Sequence, residues 1–201
     1  RFQLDGKLTV AIGGRLHELK GVVQVFQMLK LLREEFPEIR MLALGKEEIY
    51  ESFRAKAEEL GVDDLVISTG WLDGEELHCA IASTDVMLTP SICFETFGLM
   101  NLEAMEFSRP VVATSFGGCP EVVRDGVSGF VANPYKVSVF ADRIARLLRD
   151  PALREEMGAE GRRLLEEQFL MKRLTRELLE EYEAALACAD KRADAPARIT
   201  S

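Results

Sequence analysis

Two carboxylates, Glu95 and Glu103, stand eight residues apart in the stretch Pro90–Pro110, PSICFETFGLMNLEAMEFSRP. Thr96-Phe97-Gly98 between them fits the start of a helix, and Leu99, Met100, Leu102, Ala104 and Met105 after it are good helix formers. The loop therefore hands directly into a helix N-terminus. Backbone N–H groups there lack internal partners and sit at the positive end of the helix dipole, which suits a phosphate or a sugar oxygen. Ionised carboxylates only accept hydrogen bonds and repel phosphate, so both glutamates call for hydroxyl donors. At about 1.5 Å of rise per residue, eight steps cover roughly 12 Å. A ligand with hydroxyls at both ends and a diphosphate between them, as in a nucleotide sugar, fits that span.

Such a ligand needs positive charge that two glutamates cannot supply. Arg15 and Lys20, in GGRLHELKG (Gly13–Gly21), are the candidates: Arg clamps phosphate through its planar fork and Lys acts as a point charge. Taken alone, they read equally well as solvated surface charges. Gly13 and Gly14 allow backbone to approach a ligand closely or simply make a turn. They do not form G-x-G-x-x-G, which disfavours a nicotinamide enzyme.

The elements that position these residues alternate along the chain. Short β-rich runs fall at Lys7–Ile12, Ile39–Leu44, Leu65–Ile67, Val86–Leu88, Val111–Ala113 and Gly129–Val131. Helical periodicity or helix-former content separates them at Gly21–Phe36, Glu47–Leu60, Gly74–Ser83, Phe97–Phe107 and Pro120–Arg124. Apolar strands alternating with helices indicate a doubly wound α/β domain: a Rossmann-like, mostly parallel six-stranded sheet with helices on both faces. From Lys136 only helices follow, Val139–Arg149, Pro151–Gln168 and Met171–Ala187, the last packing outside the sheet or across a neighbouring domain. One domain over residues 1–188 is expected, with a frayed tail at 189–201. In this topology ligands collect beyond the carboxyl ends of the strands. The loops holding Gly13–Lys20, Glu95–Gly98 and Gly117-Gly118 all lie there, and are expected to converge on one crevice, with Gly117-Gly118 closing its far wall.

The 201 residues, 47% hydrophobic, suffice for a full core. A formal net charge of -9 disfavours nucleic acid or an anionic membrane as the main partner. No apolar run is long enough to span a bilayer and no leader pattern opens the chain, so a cytoplasmic location is expected. The first residue, Arg1, hints at a piece of something longer. Cys79, Cys93, Cys119 and Cys188 form no C-x-x-C pair and read as buried free thiols. His17 and His78 lack a second histidine at ligand spacing and read as structural or exposed. Trp71, after Gly70 at the end of the third strand, is placed either to stack on a base or to pack in the core.

GGRLHELKG, PSICFETFGLMNLEAM, PVVAT (Pro110–Thr114), GGCPEVVRDGVSGF (Gly117–Phe130) and the helices after them resemble the C-terminal, donor-binding domain of retaining GT-B glycosyltransferases of family 4. The resemblance covers about residues 7 to 187. It places Glu95 and Glu103 at the two positions of that family's E-x7-E signature and implies contacts to the donor sugar and the ribose, respectively. It implies that Arg15 and Lys20 hold the donor diphosphate, that Phe97, Gly98 and Leu99 supply backbone N–H groups to sugar or phosphate, and that Gly14 and Thr96 belong to the donor-binding set. The loop at Trp71 and Leu72 is implied to frame the base. The implied reaction is retaining transfer from a UDP-, GDP- or ADP-sugar without cofactor or metal. Arg15, Lys20 and Glu95 are the implied catalytic residues.

Two residues depart from the family pattern. Ser108 stands where Gly is common, so a left-handed backbone there would be mildly strained; Cys119 replaces an aliphatic residue and is expected to pack neutrally. The family's N-terminal acceptor domain is not expected within these residues, and any peripheral membrane contact is expected to fall to that domain. A lone donor domain is expected to fold with little or no transferase activity. Alternative readings are a nucleotide-sugar 2-epimerase on the same fold and a non-catalytic nucleotide-sugar-binding module.

Overall fold

The structure, a computed structural model, describes residues 2, 4 and 6–193, the side chains of 187–193 excepted. Six strands form one sheet: β1 (Thr9–Gly13), β2 (Arg40–Leu44), β3 (Val66–Ser68), β4 (Val86–Thr89), β5 (Val111–Thr114) and β6 (Gly129–Ala132). Their order is β3-β2-β1-β4-β5-β6 and every pairing is parallel. The central strands β1, β4 and β5 are buried almost throughout, which explains why they read as continuous apolar runs rather than alternating ones.

Helices α1 (Val22–Leu32), α2 (Glu47–Leu60) and α6 (Val137–Arg149) pack as neighbours over one side of the sheet. Helices α3 (Gly74–Ala82), α4 (Leu99–Glu106), the single turn α5 (Cys119–Val122) and α7 (Pro151–Leu164) gather around α4 on the other. Phe26, Met28 and Leu29 of α1 meet Phe140, Ile144 and Leu147 of α6 in a core from which solvent is excluded. The chain divides into two units, Arg1–Leu164 and Leu165–Ser201. The second consists of a π-helical turn, Leu165–Phe169, and α8 (Met171–Ala193). Helix α8 runs through Ala189–Ala193, where the sequence suggested a tail; residues 194–201 lie outside the described residues.

Strand order reverses between β1 and β4, which are hydrogen-bonded neighbours. Loops leaving the two strands must diverge there, and a crevice opens above their carboxyl ends. Two glycines fix how that edge is built. Gly21, with φ 76°, caps the turn Glu18–Lys20 and starts α1; a Cβ there would sit 2.1 Å from the Pro90 carbonyl oxygen. The loops after β1 and β4 are thus locked together, and Ile92 N–H donates to Leu19 O at 2.8 Å. Gly98, φ 76°, is the N-cap of α4 and has no room for a side chain, since a Cβ would lie 2.5 Å from Asn101 Nδ2.

The far end of α4 closes in a Schellman arrangement. Arg109 N–H donates to Ala104 O and Ser108 N–H to Met105 O, which puts Ser108 in the left-handed region at φ 53°. Ser108 is the only non-glycine residue with positive φ among the described residues, at the position where the sequence suggested strain.

Candidate functional site

The crevice over β1 and β4 is a cleft of about 370 Å³. Gly13 comes to it from the end of β1, Gly14, Arg15 and Lys20 from the loop after β1, Ser91 and Glu95–Gly98 from the loop after β4, Leu99, Met100 and Glu103 from α4, and Trp71 from the loop after β3. Every residue implied to bind the donor therefore lines one cleft except Leu72. That side chain is 6% exposed and lies in the core. Neighbouring residues of an extended segment face opposite ways, so Trp71 turns outward, 60% exposed, as Leu72 turns in. The core reading of Trp71 is overturned.

Gly117 and Gly118 do not line the cleft. They brace it from behind: Gly117 bridges to Glu95, and Gly118 N–H donates to Glu95 O at 2.7 Å. A Cβ on Gly117 would meet Glu95 O at 2.0 Å, and one on Gly118 would meet Thr96 O at 2.3 Å. These glycines hold the Glu95 backbone rather than closing a far wall.

Glu95 is the better-partnered of the two carboxylates. Lys20 Nζ and Ser91 Oγ both donate to its Oε2, the latter at 2.8 Å. Burial pushes the Glu95 carboxyl up, but the hydrogen bonds from Lys20 and Ser91 and the charges of Lys20 and His17 outweigh it and hold the group below its usual value. Arg15 is exposed and, among the described residues, makes no ion pair. The two expected clamps thus differ: Arg15 is free, whereas Lys20 already neutralises Glu95.

Glu103 is half-buried and its Oε2 receives no hydrogen bond from the protein. Burial raises its titration point, the neighbouring Glu106 adds to the rise, and His78 only partly offsets them. Between the two glutamates lies the start of α4, with no side chain capping it. Its first N–H groups have no acceptor within the helix and carry the positive end of its dipole.

A buried polar set behind the cleft was not visible in the sequence. Asn101 is fully buried in α4; its Oδ1 accepts from Thr89 Oγ1 at 2.8 Å, and its Nδ2 donates to Cys119 Sγ at 3.6 Å. The end of β4, the first turn of α4 and α5 are tied together through this one amide. Cys119 is buried as expected, but Cys79 is exposed and Cys93 only partly covered, so the uniform reading of buried thiols fails for these two. The Cys188 side chain lies outside the described residues. His17 and His78 are both exposed. Among the described residues no cluster of three or more His, Cys, Asp or Glu side chains could hold a metal ion, and no helix is long and apolar enough to cross a membrane.

Residues 2–164 match the family model described as glycosyl transferases group 1. The chain is 34% identical over 169 residues to a sulfoquinovosyl transferase of Arabidopsis thaliana, covering 83% of this chain and 32% of the relative. Among solved structures, the C-terminal domain of a glycosyl transferase group 1 family protein from Francisella tularensis superimposes with a TM-score of 0.73 at 25% identity, covering 83% of this chain and 88% of that one. HepE of Anabaena, solved in complex with UDP and glucose, gives a TM-score of 0.82 at 21% identity over 90% of this chain and 49% of its own. The chain spans less than half the length of the curated relatives it matches. With a single all-parallel sheet of Rossmann type and a family match over most of its length, this chain belongs to the glycosyl transferases group 1 family, as a C-terminal domain of the GT-B fold.

Proposed function

We propose that this domain binds the nucleotide-sugar donor of a retaining glycosyltransferase that moves a hexosyl group to an acceptor hydroxyl. The observation that carries this reading is the cleft itself: two carboxylates lining it, an uncapped helix start between them in the chain, and a buried Glu103 oxygen with no donor among the described residues. An acceptor atom buried without a partner is costly, and a ribose diol would satisfy it. The diphosphate lies over the Gly98–Met100 backbone, met by Arg15 and by Lys20, and the base lies toward Trp71. The hexose lies at Glu95.

In the transfer, the bond from the anomeric carbon to the diphosphate oxygen breaks and the acceptor oxygen attacks the same face. Its proton passes to the departing phosphate oxygen. Arg15, Lys20 and the α4 dipole stabilise the negative charge that develops on the diphosphate, so that no metal ion is needed for that role. Chemistry requires an acceptor site, which the proposal assigns to the remainder of a longer protein; this domain alone binds donor without turnover.

Isothermal calorimetry with UDP-, GDP- and ADP-sugars tests the reading. Saturable binding of at least one of them, competed by its free nucleoside diphosphate, is expected. A folded domain that binds none of them overturns it.

A further inference from the structure

Ser91 lies at the start of the loop after β4, 2% exposed, and its hydroxyl points at Glu95 Oε2. Lys20 takes the same oxygen. Neither of these hydrogen bonds goes to Oε1. Two donors on one oxygen restrain the carboxylate and leave the second oxygen able to accept from a ligand hydroxyl in the cleft that Glu95 lines.

The two donors are not equivalent. Lys20 sits at the tip of a flexible stem and lines the cleft beside the α4 start, within the space assigned to the diphosphate. A dianionic ligand competes with Glu95 for it. Ser91, though it borders the same cleft, carries no charge to draw a dianion, and it is buried, short and anchored next to Pro90, whose carbonyl packs against Gly21. When Lys20 turns to phosphate, the hydroxyl of Ser91 is the contact that still holds Glu95.

We propose that Ser91 is a positioning residue for the hexose end of the donor, orienting Glu95 so that Oε1 faces a sugar hydroxyl while Lys20 is shared with the diphosphate. The role rests on the donor-binding reading above and deepens it. It makes recognition of the sugar depend on Ser91 and recognition of the nucleotide independent of it. The other groups facing Glu95 are Lys20 and His17 from the loop after β1 and the Cys119 thiol of α5; none of them can replace a neutral donor on Oε2 once Lys20 is engaged.

The test compares three ligand pairs on wild type and Ser91→Ala: UDP with UDP-glucose, GDP with GDP-mannose, and ADP with ADP-glucose. In whichever pair binds, the affinity gained by adding the sugar is expected to fall about tenfold in Ser91→Ala, the size of one hydrogen bond to a charged group, with free diphosphate binding unchanged. A second readout needs no ligand. The Glu95 side-chain carboxyl, followed by carbon NMR, is expected to titrate at higher pH in Ser91→Ala than in wild type. An unchanged sugar increment, an equal loss for free and sugar-bearing diphosphate, or an unmoved Glu95 titration overturns the Ser91 role while donor binding stands. Failure of wild type to bind any of the six probes instead removes the donor reading, and this role with it.

Discussion

Glu95 and Glu103 are the same side chain placed eight residues apart on one cleft, and the protein treats them oppositely. Glu95 sits on a loop braced by Gly117 and Gly118, and Lys20 and Ser91 satisfy one of its oxygens. Glu103 sits on a helix held by the buried amide of Asn101, and its Oε2 is satisfied by nothing in the protein. The first is organised in advance at the cost of a counter-ion. The second carries an unmet demand that a ligand hydroxyl would relieve. On the proposed reading, sugar recognition is prepared by the fold, whereas ribose recognition draws on a desolvation cost already borne in the folded state.

The sharpest way to break the comparison is to remove the brace on the Glu95 side. In Gly117→Ala the new Cβ would meet Glu95 O at 2.0 Å, at a backbone φ of 71° that alanine adopts only with strain. Both faults act on the segment carrying Glu95, and a backbone clash cannot relax by rotating a side chain. Calorimetry is expected to show donor affinity reduced by roughly a hundredfold or more, and thermal melts a loss of about 3 kcal/mol or more. Donor affinity within threefold of wild type would show that Glu95 needs no brace.

Glu103→Gln strikes the other end. It removes the charge but keeps the shape, so binding of both free nucleoside diphosphate and nucleotide sugar is expected to fall by about tenfold to a hundredfold, the range for charge-assisted hydrogen bonds. Stability should move the opposite way. A buried carboxylate without a donor burdens the folded state when ionised, so the variant is expected to melt above wild type at neutral pH. A variant that binds poorly and also melts lower would mean that Glu103 has a structural partner.

A pH titration sharpens the contrast without mutation. Glu95 titrates below the usual 4.5 in the folded protein, so its contribution to stability is present above 4.5 and lost as pH falls through its folded value. Glu103 titrates above 4.5, so the folded state holds its proton longer than the unfolded chain does. Its contribution therefore runs the other way, being largest below 4.5 and lost as pH rises through its folded value. Carbon NMR of the two carboxyls is expected to give midpoints on either side of 4.5; coincident midpoints would erase the distinction.

The parts of this molecule that were legible in the sequence are those that local chemistry determines. Apolar runs marked all six strands, and Glu47–Leu60 was delimited to the residue because Gly61 ends it in a left-handed cap. The periodicity that suggests helix over Gly21–Phe36 overshoots α1 by one residue at its start and four at its end. Phe36 precedes Pro37, which disfavours helical backbone there, and the chain leaves the helix after Leu32 through tightened turns such as Glu35 N–H to Leu32 O. The charged members of the site were visible because a lone Glu or Arg among apolar residues is conspicuous. Ser91, Thr89 and Asn101 were not, since each acts through a hydrogen bond that forms only when the loop and helix after β4 fold back and none breaks a local pattern; Cys119 stood out by its type but not as the partner of Asn101. Asn101 left one faint sign, an amide in the middle of LMNLEAM on a helix otherwise good for packing. The Gly117-Gly118 turn was found and misassigned: pattern shows that backbone must come close to something, not what it approaches.

The smallest effect belongs to the end of α4 away from the cleft, and it separates stability from binding. Ser108 holds φ 53° because the Schellman closure of α4 requires a left-handed residue there. Its carbonyl oxygen also lies 2.0 Å from where a Cβ on Gly158 of α7 would be, so the α4–α7 packing gives the backbone no room to relax elsewhere. Glycine takes that φ without steric cost, but it also has more freedom to lose from the unfolded chain. The balance for Ser108→Gly is expected to be a gain of about 0.5–1 kcal/mol, seen as a modest rise in Tm. Donor affinity should not change, because Ser108 lies outside the cleft and the start of α4 is fixed separately by Gly98 and Asn101. A rise in Tm accompanied by altered donor binding would show instead that strain at the far end of α4 is transmitted along the helix to Glu103.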